Sequence, residues 1–406
     1  MTKTQHDRRT AEGSDRFSTK HEFDAEAEHS FDDAHLLFED LRSRCPVAHT
    51  TDLGGFWVLT RYADIDAAMS DPELFSTAVQ NVVPHVATTG RRPPLHLDPP
   101  EHTPYRRAIA PLFRKERMAH WGPIVRGIAD RLFAPLPAKG SADICLDFSY
   151  HLPIHVLAEF FMIPEEQAHQ IREVGREFNS ALQTKDMAEM QRYSLMLYDI
   201  AQSIIDARKA EPLDPSIDPT SALLAARDNG EPLPEHLILG TIRQLLVVGI
   251  IAPTTFLGSV AVHFCRHPEH FQLMKDDPAC IPAVCEELLR LYTPYRGFAR
   301  TPTRDVEIGG RTICRDEPVA LAFSAANRDP EVFEKPDEFL LNREGPPNIA
   351  FGRGAHRCAG EPLARLMLIA SLETFAKQCN GFIADGPTPM TTWPEYGPYS
   401  VPVRFR

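Results

Sequence analysis

The chain has 406 residues, of which 43% are hydrophobic, and it carries a formal net charge of −13 at neutral pH. That length is enough for one large domain or for two or three smaller ones. The excess of acidic residues argues against a nucleic-acid-binding protein, because such proteins present positive charge to phosphate groups. Eight cysteines are scattered without paired spacing, which is typical of reduced thiols and not of a disulfide framework.

The N-terminal segment, residues 1–29, is polar and charged throughout. It has no apolar stretch of the kind that a signal peptide or a membrane anchor requires. We therefore expect a disordered lead-in over residues 1–29 and a cytoplasmic protein.

Beyond this segment, the residue pattern predicts a few short strands and many helices. The run 56–60 predicts a strand, and a helix begins at 64–69. Residues 76–97, with three prolines, indicate a long loop. Helical patterns dominate from 116 to 290, and strand-like pieces follow at 306–308 and 319–321.

An apolar run at residues 237–260 is hydrophobic on every face, which predicts a central buried helix. Arg243 and Gln244 interrupt the run, so we do not expect it to span a membrane. Pro253 lies in its interior, where it cannot donate to the carbonyl of Gly249 and its ring crowds that turn. The sequence therefore predicts a break in this helix between residues 249 and 253.

The most informative segment is 351–360, which reads Phe-Gly-Arg-Gly-Ala-His-Arg-Cys-Ala-Gly. Its glycines, at 352, 354 and 360, allow backbone conformations that other residues avoid. A predicted helix follows, with Pro362 in its first turn, and the N–H groups and dipole of that helix favour an ionised Cys358. Basic residues beside the cysteine suit a ligand with carboxylate arms.

Other interpretations of this segment fit the residues less well. A lone cysteine is most often a small core residue, but a packing cysteine needs neither three glycines nor basic neighbours. A nucleotide-binding loop would need a third glycine in register and a preceding strand. A zinc site would need a second cysteine two to four residues away.

The segment matches the cysteine-ligand loop Phe-Gly-x-Gly-x-His-x-Cys-x-Gly of the cytochrome P450 family, and the chain resembles that family elsewhere. Glu287 and Arg290 are similar to its Glu-x-x-Arg pair, with Arg300 at the place of a haem-propionate arginine. Residues 98–107 are similar to the entry of its haem-crossing helix, and residues 326–339 resemble its meander. The resemblance covers residue 30 to the C-terminus, with four motifs in the family's order.

This resemblance implies a mainly α fold with small β-sheets (α+β), in which haem b lies between a long central helix and the cysteine loop. Residues 30–406 would form a single haem-binding catalytic domain of the soluble, bacterial type. Cys358 would be the iron ligand, and His102, Arg106 and Arg300 would bind the haem propionates. The remaining cofactor-binding positions implied by the loop motif are Phe351, Gly352, His356 and Gly360.

On the central helix, the family places an acid and a threonine beside the iron-bound oxygen. This chain has Thr254 and Thr255, but Ala252 and Pro253 stand where the acid is usual. We expect Thr254 to be the catalytic hydroxyl, with Thr255 the second candidate. Either hydroxyl has the alternative of bonding back to a carbonyl one turn earlier. The departure leaves the proton-delivery route open.

Electrons must come from a separate protein, because the chain has no dinucleotide fingerprint and no iron–sulfur cysteine spacing. A ferredoxin and its reductase are the expected partners. Docking would use the cysteine side of the haem, where positive side chains could form a patch on an acidic protein. The expected patch comprises Arg107, Arg114, Lys115, Arg353 and Arg357.

The expected reaction is insertion of one oxygen atom of O2 into a small or medium apolar organic molecule, by hydroxylation or dealkylation. The segment 292–300 and Ala252-Pro253-Thr254 look like the haem domains of bacterial self-sufficient members, although this chain lacks their reductase part. Two alternatives stay open: a peroxide-driven haem peroxygenase, suggested by the missing acid, and a non-catalytic haem-binding sensor. Expected pocket residues are Val83, Val86, Phe178, Leu182, Leu246, Ile250, Phe298 and Tyr399.

Overall fold

A computed structural model describes residues 17–27, 30–84, 90–163, 165–184 and 186–406. Helices account for most of the regular structure. They are α1 (Asp33–Arg44), α2 (Tyr62–Ser70), α3 (Thr103–Ile109), α4 (Lys115–Phe133), α5 (Pro135–Ala138), α6 (His151–Phe160), α7 (Glu165–Gln183), α8 (Met187–Ala210), α9 (Pro219–Ala225), α10 (Glu235–Arg266), α11 (Pro268–Asp276), α12 (Ile281–Leu291), α13 (Phe323–Ala326) and α14 (Glu361–Gln378).

Short strands form small sheets beside the helices. They are β1 (Val47–Thr50), β2 (Phe56–Leu59), β3 (Phe75–Ser76), β4 (Ser141–Asp143), β5 (Arg227–Asp228), β6 (Glu231–Pro232), β7 (Phe298–Pro302), β8 (Val306–Ile308), β9 (Arg311–Ile313), β10 (Val319–Leu321), β11 (Phe382–Ala384) and β12 (Pro402–Phe405). The strands expected near residues 56, 306 and 319 and the helix expected near residue 64 are confirmed.

The largest sheet has the strand order β1-β2-β10-β7-β3. Its β2–β10 pair is parallel, with Val58 opposite Ala320, and its other pairs are antiparallel. A second sheet has the order β11-β12-β4, and two hairpins pair β5 with β6 and β8 with β9. The first sheet places Arg300, on β7, in the interior, where 5% of its surface is exposed.

Helix α10 runs through the main hydrophobic core and is the one described helix long and apolar enough to cross a membrane. Three quarters of its most apolar stretch is buried inside the protein, as the sequence predicted for a central helix. The predicted break between residues 249 and 253 is wrong, because α10 is helical without interruption through Pro253. Packing holds the helix despite the lost hydrogen bond, and the hydroxyls of Thr254 and Thr255 add bonds to carbonyls of the same turn.

The expected start of the folded chain at residue 30 is also too late. Phe23 and Ala25 are buried against the large sheet, and the Glu22 carboxylate accepts from Arg311 Nη1 at 2.6 Å. Residues 17–27 therefore pack as part of the fold, although their polar composition predicted a disordered segment. Residues 1–16 lie outside the described part of the chain.

A buried ion pair joins α12 to the segment before the cysteine loop. Arg290 donates to both carboxylate oxygens of Glu287, at 2.9 and 2.8 Å, and both side chains are at most 6% exposed. Arg290 also donates to the backbone carbonyls of Asn327, Pro336 and Glu338. Arg343 Nη2 donates to the same Glu287 carboxylate at 3.1 Å. The pair thus pins residues 327–343 to α12.

We predict that Arg290→Ala destabilises the protein strongly, because it leaves the Glu287 carboxylate buried without its main partner. The expected loss is about 3–5 kcal/mol in the free energy of unfolding. Arg126→Ala is the control, since Arg126 and Glu373 form a half-exposed pair and such pairs contribute about 0–1 kcal/mol. Urea unfolding followed by circular dichroism measures both variants, and equal losses would contradict the prediction.

Candidate active site

The cysteine loop begins with two glycines in a left-handed conformation. Gly352 and Gly354 have φ of 68° and 67°, where other residues are strained. A Cβ on Gly354 would lie 2.5 Å from the backbone oxygen of Met69, so the loop lies directly on the end of α2. Gly360 has an ordinary φ of −82° and caps α14, so the expectation of an unusual backbone there is wrong. Pro362 lies in the first turn of α14, as expected.

The loop brings the sulfur of Cys358 to the N-terminus of α14. The Cys358 N–H donates to the Phe351 carbonyl at 2.9 Å, which closes the loop. Backbone N–H groups of Gly360 and Glu361 donate to the sulfur. Cys358 borders a cavity of about 470 Å³ that Arg106 and Phe113 also line. The geometry is that of a thiol presented by a helix N-terminus, as the sequence predicted.

The sulfur is exposed to space that small molecules can enter, yet protein atoms surround it on its other sides. This burial raises the pKa of the Cys358 thiol above its ordinary value. The two backbone N–H groups and the charge of Arg106 act in the opposite direction, whereas the Glu361 carboxylate adds to the rise. A cation bound at the sulfur would favour the thiolate further.

Four cationic or ring-nitrogen groups gather near the loop, as the sequence predicted. Arg300 is buried, and its Nη1 donates to the carbonyl of its neighbour Ala299 at 2.9 Å. Burial lowers the pKa of Arg300 to about 10, so it remains charged at neutral pH. The Nε2 atom of His102 is 3.0 Å from the carbonyl oxygen of Ala355, and its buried Nδ1 atom has no hydrogen-bond partner. The rings of His102 and His356 are 5.0 Å apart.

Arg106, on α3, is half-buried and close enough to Cys358 and Glu361 for electrostatic interaction. Burial is the largest influence on Arg106 and lowers its pKa. Together with Arg300 and His102, it brings N–H groups into this interior region that outnumber the hydrogen-bond acceptors found there among the described residues. A thiol sulfur beside surplus cationic donors is the donor set that haem requires, with its iron and two propionate carboxylates. The residues present therefore fit a haem.

Asp98 has a role that the sequence did not assign, because it fixes Thr77, whose Oγ1 is hydrogen-bonded to His356 Nε2 of the loop at 3.1 Å. Its carboxylate accepts from Ser76 and Thr77, and His356 Nε2 lies 3.8 Å from its Oδ1. Burial opposes its ionisation, but these partners outweigh burial and lower the pKa of Asp98 to about 2. The position of Asp98 at the start of the segment 98–107 was the feature of the sequence that could have pointed to it.

A second unassigned residue is Glu361, which links the loop to α14. It accepts from Arg357 at 2.6 and 2.8 Å and also from Arg365, which in turn pairs with Glu286. The spacing of Arg357, Glu361 and Arg365, each four residues apart, was the available signal. Arg357 is thereby engaged in an ion pair.

The other members of the expected docking patch differ in exposure. Arg353 pairs with Asp66 at 3.2 Å and donates to the hydroxyl of Tyr62. Arg107, Arg114 and Lys115 are exposed, with no ion pair within the described residues. Of the five cations in the expected patch, Arg353 and Arg357 are thus each held in an ion pair with a carboxylate. The other three are exposed and are in no ion pair with a described residue.

The two threonines of α10 are buried and bond back into their own helix. Thr254 Oγ1 donates to the Ile250 carbonyl at 2.8 Å and lies 3.3 Å from the Ser149 carbonyl. Thr255 Oγ1 is 3.2 Å from the Ile251 carbonyl. Ala252 and Pro253 precede them, so this turn offers no side-chain acid.

The expected pocket residues occupy different surroundings. Phe178, Leu246 and Ile250 are buried between α7 and α10, and Phe298 packs on Tyr295 with ring centroids 4.4 Å apart. Val83 is buried in the core beside the large sheet, and Tyr399 is 46% exposed. Val86 lies outside the described residues, and Leu182 is on α7 at a position whose side chain is not described.

Comparisons with known proteins agree on one family. A family model described as cytochrome P450 matches residues 279–390. Mycinamicin IV hydroxylase/epoxidase from Micromonospora griseorubida is 30% identical over 393 residues, covering 92% of this chain and 97% of that protein. Nocardicin C N-oxygenase from Nocardia uniformis subsp. tsuyamanensis is 31% identical, covering 83% and 85%.

Solved structures of the family have the same fold. Cytochrome P450 CYP101C1 superposes with a TM-score of 0.85 at 26% identity, covering 97% of this chain and 98% of that one. CYP109Q5 from Chondromyces apiculatus gives 0.82 at 26% identity, covering 92% and 96%. With relatives at 30% identity over most of both chains, this chain belongs to the cytochrome P450 family, whose members are monooxygenases that carry haem b.

Proposed function

We propose that the chain inserts one oxygen atom of O2 into a small or medium, mostly apolar organic substrate, by hydroxylation or oxidative dealkylation. A separate ferredoxin and its reductase supply the electrons, and the protein works in the cytoplasm. The observation that carries the proposal is the sulfur of Cys358, held by the N–H groups of Gly360 and Glu361 beside buried cationic donors. A thiolate-bound haem supplies the power to cleave the O–O bond of dioxygen.

The chain's own residues bind and orient the cofactor in this proposal. Cys358 ligates the iron through its sulfur, and the loop residues Phe351, Gly352, His356 and Gly360 shape its approach. His102, Arg106 and Arg300 donate to the propionate carboxylates, which would give the free Nδ1 of His102 and the guanidinium of Arg300 acceptors inside the protein. Thr77, which is hydrogen-bonded to Asp98, orients His356 through the 3.1 Å contact between Thr77 Oγ1 and His356 Nε2.

Proton delivery belongs to α10 in this proposal, with Thr254 as the first candidate. Its hydroxyl lies on a buried turn and can exchange its bond to the Ile250 carbonyl for one to a bound water or oxygen. Thr255 is the second candidate and bonds to the Ile251 carbonyl. Because Pro253 replaces the usual acid, protons must arrive through water or through hydroxyls alone.

A second candidate function is a peroxide-driven peroxygenase. The specific observation in its favour is that Ala252 and Pro253 offer no acid to the turn of Thr254. An enzyme supplied with hydrogen peroxide needs no external electrons and less proton delivery. Product formed with peroxide alone, at a rate above that with ferredoxin, reductase and O2, would favour this function.

The first prediction of the proposal concerns the iron ligand. We expect reduced, carbon-monoxide-bound native protein to show the long-wavelength Soret band of thiolate ligation, and Cys358→Ser to lose it while remaining folded. Cys314→Ser is the matched control and should keep the band, since Cys314 lies on the remote segment after β9. A native band at the position typical of histidine ligation would contradict the proposal.

The second prediction separates the two threonines. Thr254→Ala should divert more of the electrons consumed into hydrogen peroxide and lower the product formed per reductant, while leaving peroxide-driven turnover largely intact. Thr255→Ala should change this ratio less. Parallel assays of reductant consumed, peroxide released and product formed measure the product formed per reductant. An equal effect of both substitutions would contradict the assignment of Thr254 as the first candidate.

The third prediction concerns docking of the electron donor. The exposed group Arg107, Arg114 and Lys115 is the part of the expected patch not held in ion pairs. Charge reversal in Arg114→Glu with Lys115→Glu should raise the KM for ferredoxin and weaken its dependence on salt, because the attraction to an acidic donor is lost. Arg131→Glu with Lys139→Glu, at exposed positions near the end of α4 and after α5, is the charge-matched control. Unchanged KM in the double variant would place docking elsewhere.

A further inference from the structure

Arg243 is a buried cation on α10 that no step proposed above uses. Only 2% of its surface is exposed, and its Nε has no hydrogen-bond partner. Nη2 donates to the hydroxyl of Ser194 on α8 at 3.0 Å, and the guanidinium lies over the ring of Phe178, 5.1 Å from its centroid. None of the ion pairs among the described residues includes Arg243. Its hydrogen bond and its ring contact are thus with neutral groups, and no described carboxylate pairs with it.

A second arginine, Arg92, approaches the same place from the loop before α3. Its Nε is buried without a partner, and its Nη2 is 3.5 Å from His96 Nε2. The loop lies directly on α10, since a Cβ on Gly240 would be 2.1 Å from the Arg91 carbonyl oxygen. Tyr198, from α8, adds a buried hydroxyl with no partner. The loop before α3, helix α8 and helix α10 thus each bring one buried donor without a hydrogen-bond partner to this place.

The two guanidinium groups disfavour each other. Burial and the charge of Arg92 lower the pKa of Arg243 to about 9, and burial lowers that of Arg92 as well. An arginine side chain is not deprotonated in proteins at neutral pH, so the two like charges lie near each other. Buried charges are normally compensated by an opposite charge, as Glu287 does for Arg290 in this protein. The described residues supply no carboxylate here, so an anion bound from outside the chain can provide the compensating charge.

The cluster lies on the same helix as the proposed reaction centre. Eleven residues separate Arg243 from Thr254, which is close to three helical turns, so both side chains project to one side of α10. Ile250, between them on that side, is buried against Gly175 of α7. The Cα atoms of Arg243 and Thr254 are about 16 Å apart along the axis of α10. Leu246 and Ile250, which are both buried and apolar, therefore lie between Arg243 and Thr254 along α10.

We propose that Arg243 and Arg92 bind the carboxylate of the substrate, and that the apolar part of the substrate extends along α10 towards Thr254. The planar guanidinium fork matches a carboxylate, and the unused Nε donors and the Tyr198 hydroxyl are available for it. The substrate class is therefore an amphipathic monocarboxylic acid, oxidised at a carbon remote from the carboxylate. This inference rests on the proposed monooxygenase function and narrows its substrate.

The experiment compares acids with their neutral methyl esters in the haem-loaded protein. Octanoic, dodecanoic and hexadecanoic acids and the three esters are titrated, with the Soret shift and isothermal calorimetry as separate readouts. We expect at least one acid to bind about tenfold or more tightly than its ester, because hydrogen bonds to charged groups contribute that much. Failure of every acid to bind more tightly than its ester overturns the proposal.

Variants then assign the preference to the arginines. Arg243→Met, which keeps much of the side-chain length, should raise the Kd of the preferred acid about tenfold or more and leave that of its ester nearly unchanged. Its thermal stability should stay the same or rise, because an uncompensated buried charge is removed. Arg92→Met should act in the same direction. Arg91→Met, at the exposed neighbouring position, is the matched control and should leave both Kd values unchanged.

The outcomes distinguish this inference from the function on which it rests. An unchanged acid preference in Arg243→Met and Arg92→Met overturns the carboxylate site even if the native protein shows the thiolate band with carbon monoxide. A native protein without that band contradicts the monooxygenase function, while calorimetry still tests acid binding. A large loss of stability in Arg243→Met with unchanged acid affinity would show that the arginine is structural.

Discussion

The structure depends on placing one sulfur atom at a helix N-terminus inside the protein. Cys358 accepts from the N–H groups of Gly360 and Glu361, while burial opposes its ionisation. A thiolate can persist there only if the loop is rigid and if positive charge stands nearby. The left-handed glycines, the contact with Met69 and the closing bond to Phe351 supply the rigidity. The nearby cations Arg106 and Arg300 meet the second of these conditions.

Three kinds of buried arginine show how this protein handles charge in its interior. Arg290 is neutralised within the chain by Glu287, and its remaining donors are taken by backbone carbonyls. Arg300 has little more than its neighbour's carbonyl and fits the carboxylate of a cofactor. Arg243 has a hydroxyl and aromatic rings, and we assign its missing anion to the substrate. Burial imposes a desolvation penalty on each of the three guanidinium groups. The arginines differ in what supplies the opposite charge: the chain itself, a cofactor or the substrate.

Helix α10 connects the last two of these sites. It is continuous through Pro253, and its threonine hydroxyls bond to carbonyls in the same turn. A helix that stays intact can hold a substrate carboxylate at Arg243 and a reacting carbon near Thr254 at a fixed separation. In the proposed function the turn of Thr254 relies on hydroxyls and water, because Ala252 and Pro253 offer no acid.

The sequence by itself determined the family and the fold class, and it predicted Cys358 as the iron ligand and His102, Arg106 and Arg300 as propionate-binding residues. Those predictions rested on local motifs, in which spacing along the chain fixes the chemistry. Only the tertiary structure decided that Thr77 and Asp98 hold His356, that Glu361 engages Arg357, and that Phe23 and Ala25 pack against the sheet. It also kept α10 unbroken and joined Arg92 to Arg243. These features arise between segments far apart in sequence, where burial and packing override local composition and helix propensity.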